Sequence, residues 1–310
     1  MKNLPIGYYG AVMGIAGLGL TARAAAPLFP GVVRAPAYVT EPIVLAGLLA
    51  FLILFPAYLL KVFLHPKAVK EEFTNPATLG FCAALPVGMT LVAGGVAPYS
   101  NVLGDILWWG GAGLLVAMQV WGVARVLQGG IELAQINAGW MILFIGGIVV
   151  PGGGIALGHY EASRFLFGVS AAATPFVMGL VFYRAAVGPA LPEMLRPSWF
   201  ILLVPPSLIY AHGLTLYPGL AFLDNLLFFG LVLGAGLLVY ARGFLRWPFG
   251  VPWWAFTFPL DAFAYAAARY AQESSSPQWR VVAALALALA AAAVLICLWK
   301  TLRSAASRRA

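Results

Sequence analysis

The residues with the most chemical potential are Phe258, Pro259 and Asp261, in the run WWAFTFPLDAFAYAAARY at 253–270. The run is long enough to cross a bilayer, yet it carries a proline and a carboxylate near its middle. Pro259 lacks a backbone N–H and pushes its ring toward the carbonyl of Ala255, so a helix here bends or loosens. Phe258 stands at that break. Its ring is either a packed core aromatic or a constriction. In a narrow apolar lumen the ring excludes water and leaves an ion nothing to replace its hydration shell. Asp261 follows three residues later, on nearly the same helical face. A carboxylate in an apolar span is costly, so it must be protonated, paired or turned away. Tyr265, one turn on, can donate a hydrogen bond to it. Arg269, two turns on, helps only through water or another helix. Two readings stand: a carboxyl bonded to a neighbouring helix, or a protonatable switch that couples pH to a pore.

Other polar residues point to structure. Glu132, Gln135 and Asn137 read as solvated opening residues or caps, and Gln119 as interhelical glue. His159 and His212 sit near expected outer ends, with His65 on the other side, so no metal site is expected. Cys82 and Cys297 fall inside apolar runs and read as buried small side chains. HExxH is absent, and so is a Walker lysine after a glycine loop. Gly152–Gly154 leads into Ile155, Ala156 and Leu157, which is no phosphate cradle. No cofactor and no enzymatic activity are expected.

These side chains must be positioned by helices in a membrane. Of 310 residues, 62% are hydrophobic and 9% charged, and the mean hydropathy is +0.92. A soluble domain carries about 25% charged residues. The apolar runs are continuous, where barrel strands would alternate. They read as ten spans in a single transmembrane domain, at 7–26, 38–63, 76–97, 105–127, 133–157, 160–184, 197–217, 219–241, 249–271 and 278–303. No removable leader is expected at the N-terminus.

With both termini in the cytoplasm, the inner side holds Lys2, Lys61, Lys67, Lys70, Arg125, Arg184, Arg196, Arg242, Arg246, Lys300, Arg303, Arg308 and Arg309. The outer side holds Arg23, Arg34, Arg164, Arg269 and Arg280. This split supports the orientation and an even span count. The net charge of +8 is thus a topology signal, with attraction to anionic lipid as a by-product and no nucleic-acid partner implied.

Interior prolines fall in the third (Pro86), fifth (Pro151), seventh (Pro205, Pro206) and ninth (Pro259) spans. Pro56 in the second and Pro175 in the sixth make the alternation imperfect. The first span has glycines instead, at 7, 10, 14, 17 and 19. Broken backbone at membrane depth is tolerated where it is packed in protein or lines a water-filled path. The odd spans therefore read as an inner ring, with Gly14 and these prolines as kink or lining candidates, and the even spans as outer supports. Prolines and glycines that merely permit close helix packing are the alternative.

Several of these stretches resemble the tellurite-resistance/dicarboxylate transporter family, which includes the bacterial tellurite-resistance membrane protein and the plant guard-cell slow anion channel. GYYGAVMGIAGLGL (7–20) is similar to its first span and GFCAALPVGMTLVAGG (80–95) to its third. LRPSWFILLVPPSLIYA (195–211) is similar to the seventh and WWAFTFPLDAFAYAAARYAQ (253–272) to the ninth. The resemblance implies an all-α integral membrane fold of ten helices. They form five hairpins around a quasi-fivefold central pore, odd helices inside, as a homotrimer with one pore per protomer. It also implies that Phe258 plugs the pore. Two residues depart from the pattern. Val12 stands where the family often has proline, and Asp261 stands where an apolar residue is usual.

The expectation is a channel in the inner (plasma) membrane passing small inorganic or carboxylate anions through a phenylalanine-gated pore. The rival is a proton-coupled carrier of C4-dicarboxylates, tellurite or sulfite, with Asp261 as the proton site.

Overall fold

The computed structural model describes residues 2–30 and 36–307. Arg34, Arg308 and Arg309 of the charge tally lie outside the described residues. Everything described is helix, turn or irregular chain, with no strand among the described residues. Eight helices there are long and apolar enough to cross a membrane: Ile6–Leu28, Ala37–Leu64, Pro76–Val96, Asn101–Leu127, Tyr160–Val187, Glu193–Leu216, Leu223–Tyr240 and Pro277–Ser307.

The other two expected spans depart from that form. The fifth does not start at 133. It is split into Trp140–Ile145, a tighter 3₁₀ turn Gly146–Ile148, and Pro151–Ala156. Glycines at the junction and a proline that cannot donate explain the split. The ninth is Thr257–Ser274, and its Asp261, Arg269 and Glu273, with two tyrosines, make it less apolar than the rest.

Even and odd segments are built differently. The even ones (Pro36–Leu64, Asn101–Leu127, Tyr160–Val187, Leu223–Tyr240, Pro277–Ser307) are uninterrupted α-helices, and Pro42, Pro56 and Pro175 are absorbed within them. Only 22–44% of each one's apolar stretch is buried, against 67–89% in the first, third and seventh. Leucines, valines and phenylalanines therefore cover the outside, as a lipid-facing surface requires.

Each odd segment contains 3₁₀ geometry followed by α-helix. The pairs are Ile6–Tyr8 with Tyr9–Ala25, Gly80–Ala83 with Ala84–Val96, Gly146–Ile148 with Pro151–Ala156, Glu193–Leu203 with Val204–Leu216, and Val251–Phe256 with Thr257–Ser274. The prolines sit in the first turn of the α part: Pro86 third, Pro151 first, Pro205 and Pro206 second and third, Pro259 third. First-turn N–H groups have no intrahelical partner, so proline gives up nothing there.

This corrects the expected mid-helix bend at Pro259. Ala255 belongs to the 3₁₀ stretch, and the α-helix begins only at Thr257. Relieving an interior kink would stabilise the fold. Removing a well-placed proline destabilises it, so Pro259→Ala should cost about 0.4–1 kcal/mol in thermal unfolding of the detergent-purified protein.

Neighbouring segments pack as hairpins: first on second, third on fourth, fifth on sixth, seventh on eighth, ninth on tenth. The odd segments also touch in a closed order. The first meets the third, the third meets the fifth, the fifth meets the seventh, the seventh meets the ninth, and the ninth returns to the first.

Candidate functional site

The N-terminal halves of all five odd segments enclose a cavity of about 360 Å³. Met13, Val87, Val149, Pro205 and Pro259 are the last residues that each contributes to the wall. Along the ninth segment the wall runs from Val251 to Pro259, so Phe258 lies at its deep end. That side chain is 6% exposed and packs in one core cluster with Val12, Met13, Val87, Val149 and Val204. The wall is almost wholly apolar, and Glu72 is the one charged residue in it among the described residues. Among the described residues no lysine or arginine lines it. The helices Ala84–Val96, Val204–Leu216 and Thr257–Ser274 all begin at the wall, through Ala84, Val204 and Phe258. Their N-terminal ends carry partial positive charge and bring weak attraction for anions without a fixed cation.

Behind Phe258 the first segment comes very close. A Cβ on Gly17 would lie 2.8 Å from Cδ2 of Phe258 and 3.0 Å from Oδ2 of Asp261. Only a glycine permits this approach, and it places the ring and the carboxyl side by side, as their spacing predicts. Gly14 is buried and is not among the residues lining this cavity; a Cβ there would fall 2.0 Å from Oγ1 of Thr257. Pro86, Pro151 and Pro206 are likewise buried away from the wall, with Pro206 facing Gly230 of the eighth segment. Pro205 and Pro259 line it.

Asp261 is fully buried, and neither carboxyl oxygen has a hydrogen-bond partner. Thr21 bonds instead to its backbone carbonyl, at 3.1 Å. The expected bond from Tyr265 is not formed, because that ring turns to the seventh segment and sits 5.8 Å from His212. Arg269 reaches Glu273 at 3.4 Å. The reading of a carboxyl bonded to a neighbouring helix is therefore overturned.

His212, four residues from the end of its helix at Leu216, is buried, and its Nδ1 lies 2.8 Å from the carbonyl of Ile148 at the break in the fifth segment. Glu132 and Gln135 form a reciprocal cap, Asn137 caps Gly139, and Gln119 bonds the carbonyl of Phe144. Among the described residues no three potential metal ligands cluster. At the far ends of the first two segments, Arg23 pairs with Glu41 at 2.7 Å. Tyr99 donates to the same carboxylate, a bond that holds its phenol above the usual range.

One charged cluster escaped the sequence. Lys61 is 2% exposed and lies 2.8 Å from Glu72 and 2.8 Å from the carbonyl of Leu4. Glu72 also accepts from Tyr58 at 2.9 Å and from the backbone N–H of Ile6 at 3.3 Å. The short helix Pro66–Thr74 thereby ties the N-terminal segment to the cavity mouth. Lys61 closes an apolar run and reads as a topology charge. Nothing in the pattern pairs it with a carboxylate beyond the Pro66 turn.

Residues 3–302 match the family model described as voltage-dependent anion channel. The chain is 23% identical to the S-type anion channel SLAH3 of Arabidopsis thaliana over 97% of its own length and 48% of that protein's. It is 25% identical to the guard cell S-type anion channel SLAC1 of the same plant, over 88% of this chain and 50% of the other. An uncharacterized transporter of Methanocaldococcus jannaschii is 22% identical over 85% of this chain and 83% of that one. The chain thus spans about half the length of the plant relatives it matches. A match covering nearly every residue, on an all-helical chain with a lipid-facing exterior, identifies it as a multi-pass membrane protein belonging to the SLAC1 voltage-dependent anion channel family.

Proposed function

We propose that the chain is an anion channel whose ten helices form five hairpins around a quasi-fivefold pore, with Phe258 as the gate. The observation that carries this reading is the cavity walled by all five odd segments, which along the ninth ends at Phe258 and Pro259. By the charge bias, both termini are cytoplasmic and the cavity is the cytoplasmic vestibule. The protein resides in the inner or plasma membrane as a homotrimer, lipid against its even helices. Its cargo is small inorganic or carboxylate anions. Helix N-termini at the vestibule attract an anion weakly, and the absence of a lining cation lets it leave quickly.

The second reading, a proton-coupled carrier of C4-dicarboxylates, tellurite or sulfite, is favoured by the unpartnered carboxyl of Asp261. Liposome flux separates the two. Chloride or nitrate efflux from proteoliposomes should follow the anion gradient and persist when an ionophore abolishes the proton gradient. Efflux that stops with the proton gradient would favour the carrier.

A further inference from the structure

A buried carboxyl group with no hydrogen-bond partner is rare, because leaving it unbonded costs roughly 1–3 kcal/mol and more when it is charged. Asp261 is such a group, with zero exposure and both oxygens unmatched. It is also placed at one specific point, where it and Phe258 both press on Gly17. Among the described residues no cation pairs with it. On its own helix, Tyr265 faces His212 and Arg269 bonds Glu273. From the seventh segment, His212 bonds Ile148 and the Tyr210 ring lies tilted against Tyr270, centroids 6.1 Å apart. From the first, Arg23 is held by Glu41 and the carbonyl of Gly95. From the tenth, Cys297 bonds the carbonyl of Trp253. None of these side chains bonds the carboxyl.

We infer that Asp261 is a selectivity and proton-sensing group: as the neutral acid its O–H is the donor offered to an anion behind Phe258, and as the carboxylate its charge closes that path. An unpaired carboxylate is not a stable resident of an apolar site, whereas the neutral acid is. The neutral acid carries a free donor, which is what an anion shedding water needs. Loss of the proton replaces attraction with repulsion between like charges in a medium of low dielectric constant. This inference rests on the pore reading proposed above.

The test is chloride efflux from proteoliposomes at symmetrical pH values from acid to alkaline, in a Phe258→Ala background so that the ring does not mask the effect. Efflux should fall as pH rises, approaching about tenfold per pH unit, the slope of one proton. Adding Asp261→Asn keeps an N–H donor and removes the charge, so efflux should stay near the acid maximum at every pH. Adding Asp261→Leu removes donor and charge, so efflux should be pH-independent and severalfold slower than with asparagine. An unchanged pH slope in the asparagine variant, or equal rates for asparagine and leucine, overturns the inference and leaves the pore reading standing. No chloride efflux from Phe258→Ala at any pH overturns both. Infrared spectroscopy of the otherwise unaltered protein gives a second readout. The C=O band of a protonated carboxyl should be present at neutral pH and vanish in Asp261→Asn, and its absence from the unaltered protein also overturns the inference.

Discussion

Phe258→Ala should raise anion flux through the protein by about ten- to a hundredfold at equal protein density. Packing sets the size of that increase. The ring is 6% exposed, wedged among apolar side chains at the deep end of the cavity. Swinging it aside gives up roughly 1.5–3 kcal/mol of burial, and each 1.4 kcal/mol is a factor of ten in the open population. Alanine removes that cost. The same change leaves a void that should destabilise the fold by about 3–5 kcal/mol. Flux is therefore normalised to folded protein measured by size-exclusion chromatography. Phe258→Leu, which fills more of the space, should fall between the two. Proteoliposome efflux of chloride and nitrate checks the series.

Glu72→Ala should produce the largest loss of stability. Lys61 is almost completely buried, and its counter-charge is Glu72 at 2.8 Å. Breaking such a pair strands a buried charge and costs about 3–5 kcal/mol, far more than any exposed pair contributes. The bonds from Tyr58 and from the backbone of Ile6 are lost as well. Those bonds hold Ile6, which lines the vestibule. Glu72→Gln keeps acceptors for Tyr58 and Ile6 and should cost less. Lys61→Met combined with Glu72→Gln removes the stranded charge and should recover most of the loss. Thermal unfolding in detergent gives the order. If Glu72→Ala proved as stable as the original chain, the latch would be decorative.

Much of this was legible from residue types alone. Prolines mark the first turns of four odd segments, where a missing N–H costs nothing, but Pro42, Pro56 and Pro175 inside even helices blur the pattern. The spacing of Phe258 and Asp261 puts ring and carboxyl on one face, and Glu132, Gln135 and Asn137 read as caps. What could not be read was backbone geometry and rotation. A 3₁₀ turn and an α turn draw on the same residues, so the shift from Phe256 to Thr257 left no mark in composition. Tyr265 is spaced to bond Asp261, but the packing of the seventh segment takes its ring to His212. His212 bonds the fifth segment where that segment breaks, and nothing local in the sequence says so. Lys61 and Glu72 meet across the turn at His65 and Pro66, and periodicity is blind to that fold-back.

An anion-conducting path closed by Phe258 is tested most directly by the reversal potential of currents through Phe258→Ala in planar bilayers under opposed chloride and proton gradients. The reversal potential should track the chloride gradient and be indifferent to the proton gradient, with the unaltered protein nearly silent. A reversal potential set by protons, or equal currents with and without the ring, would contradict it.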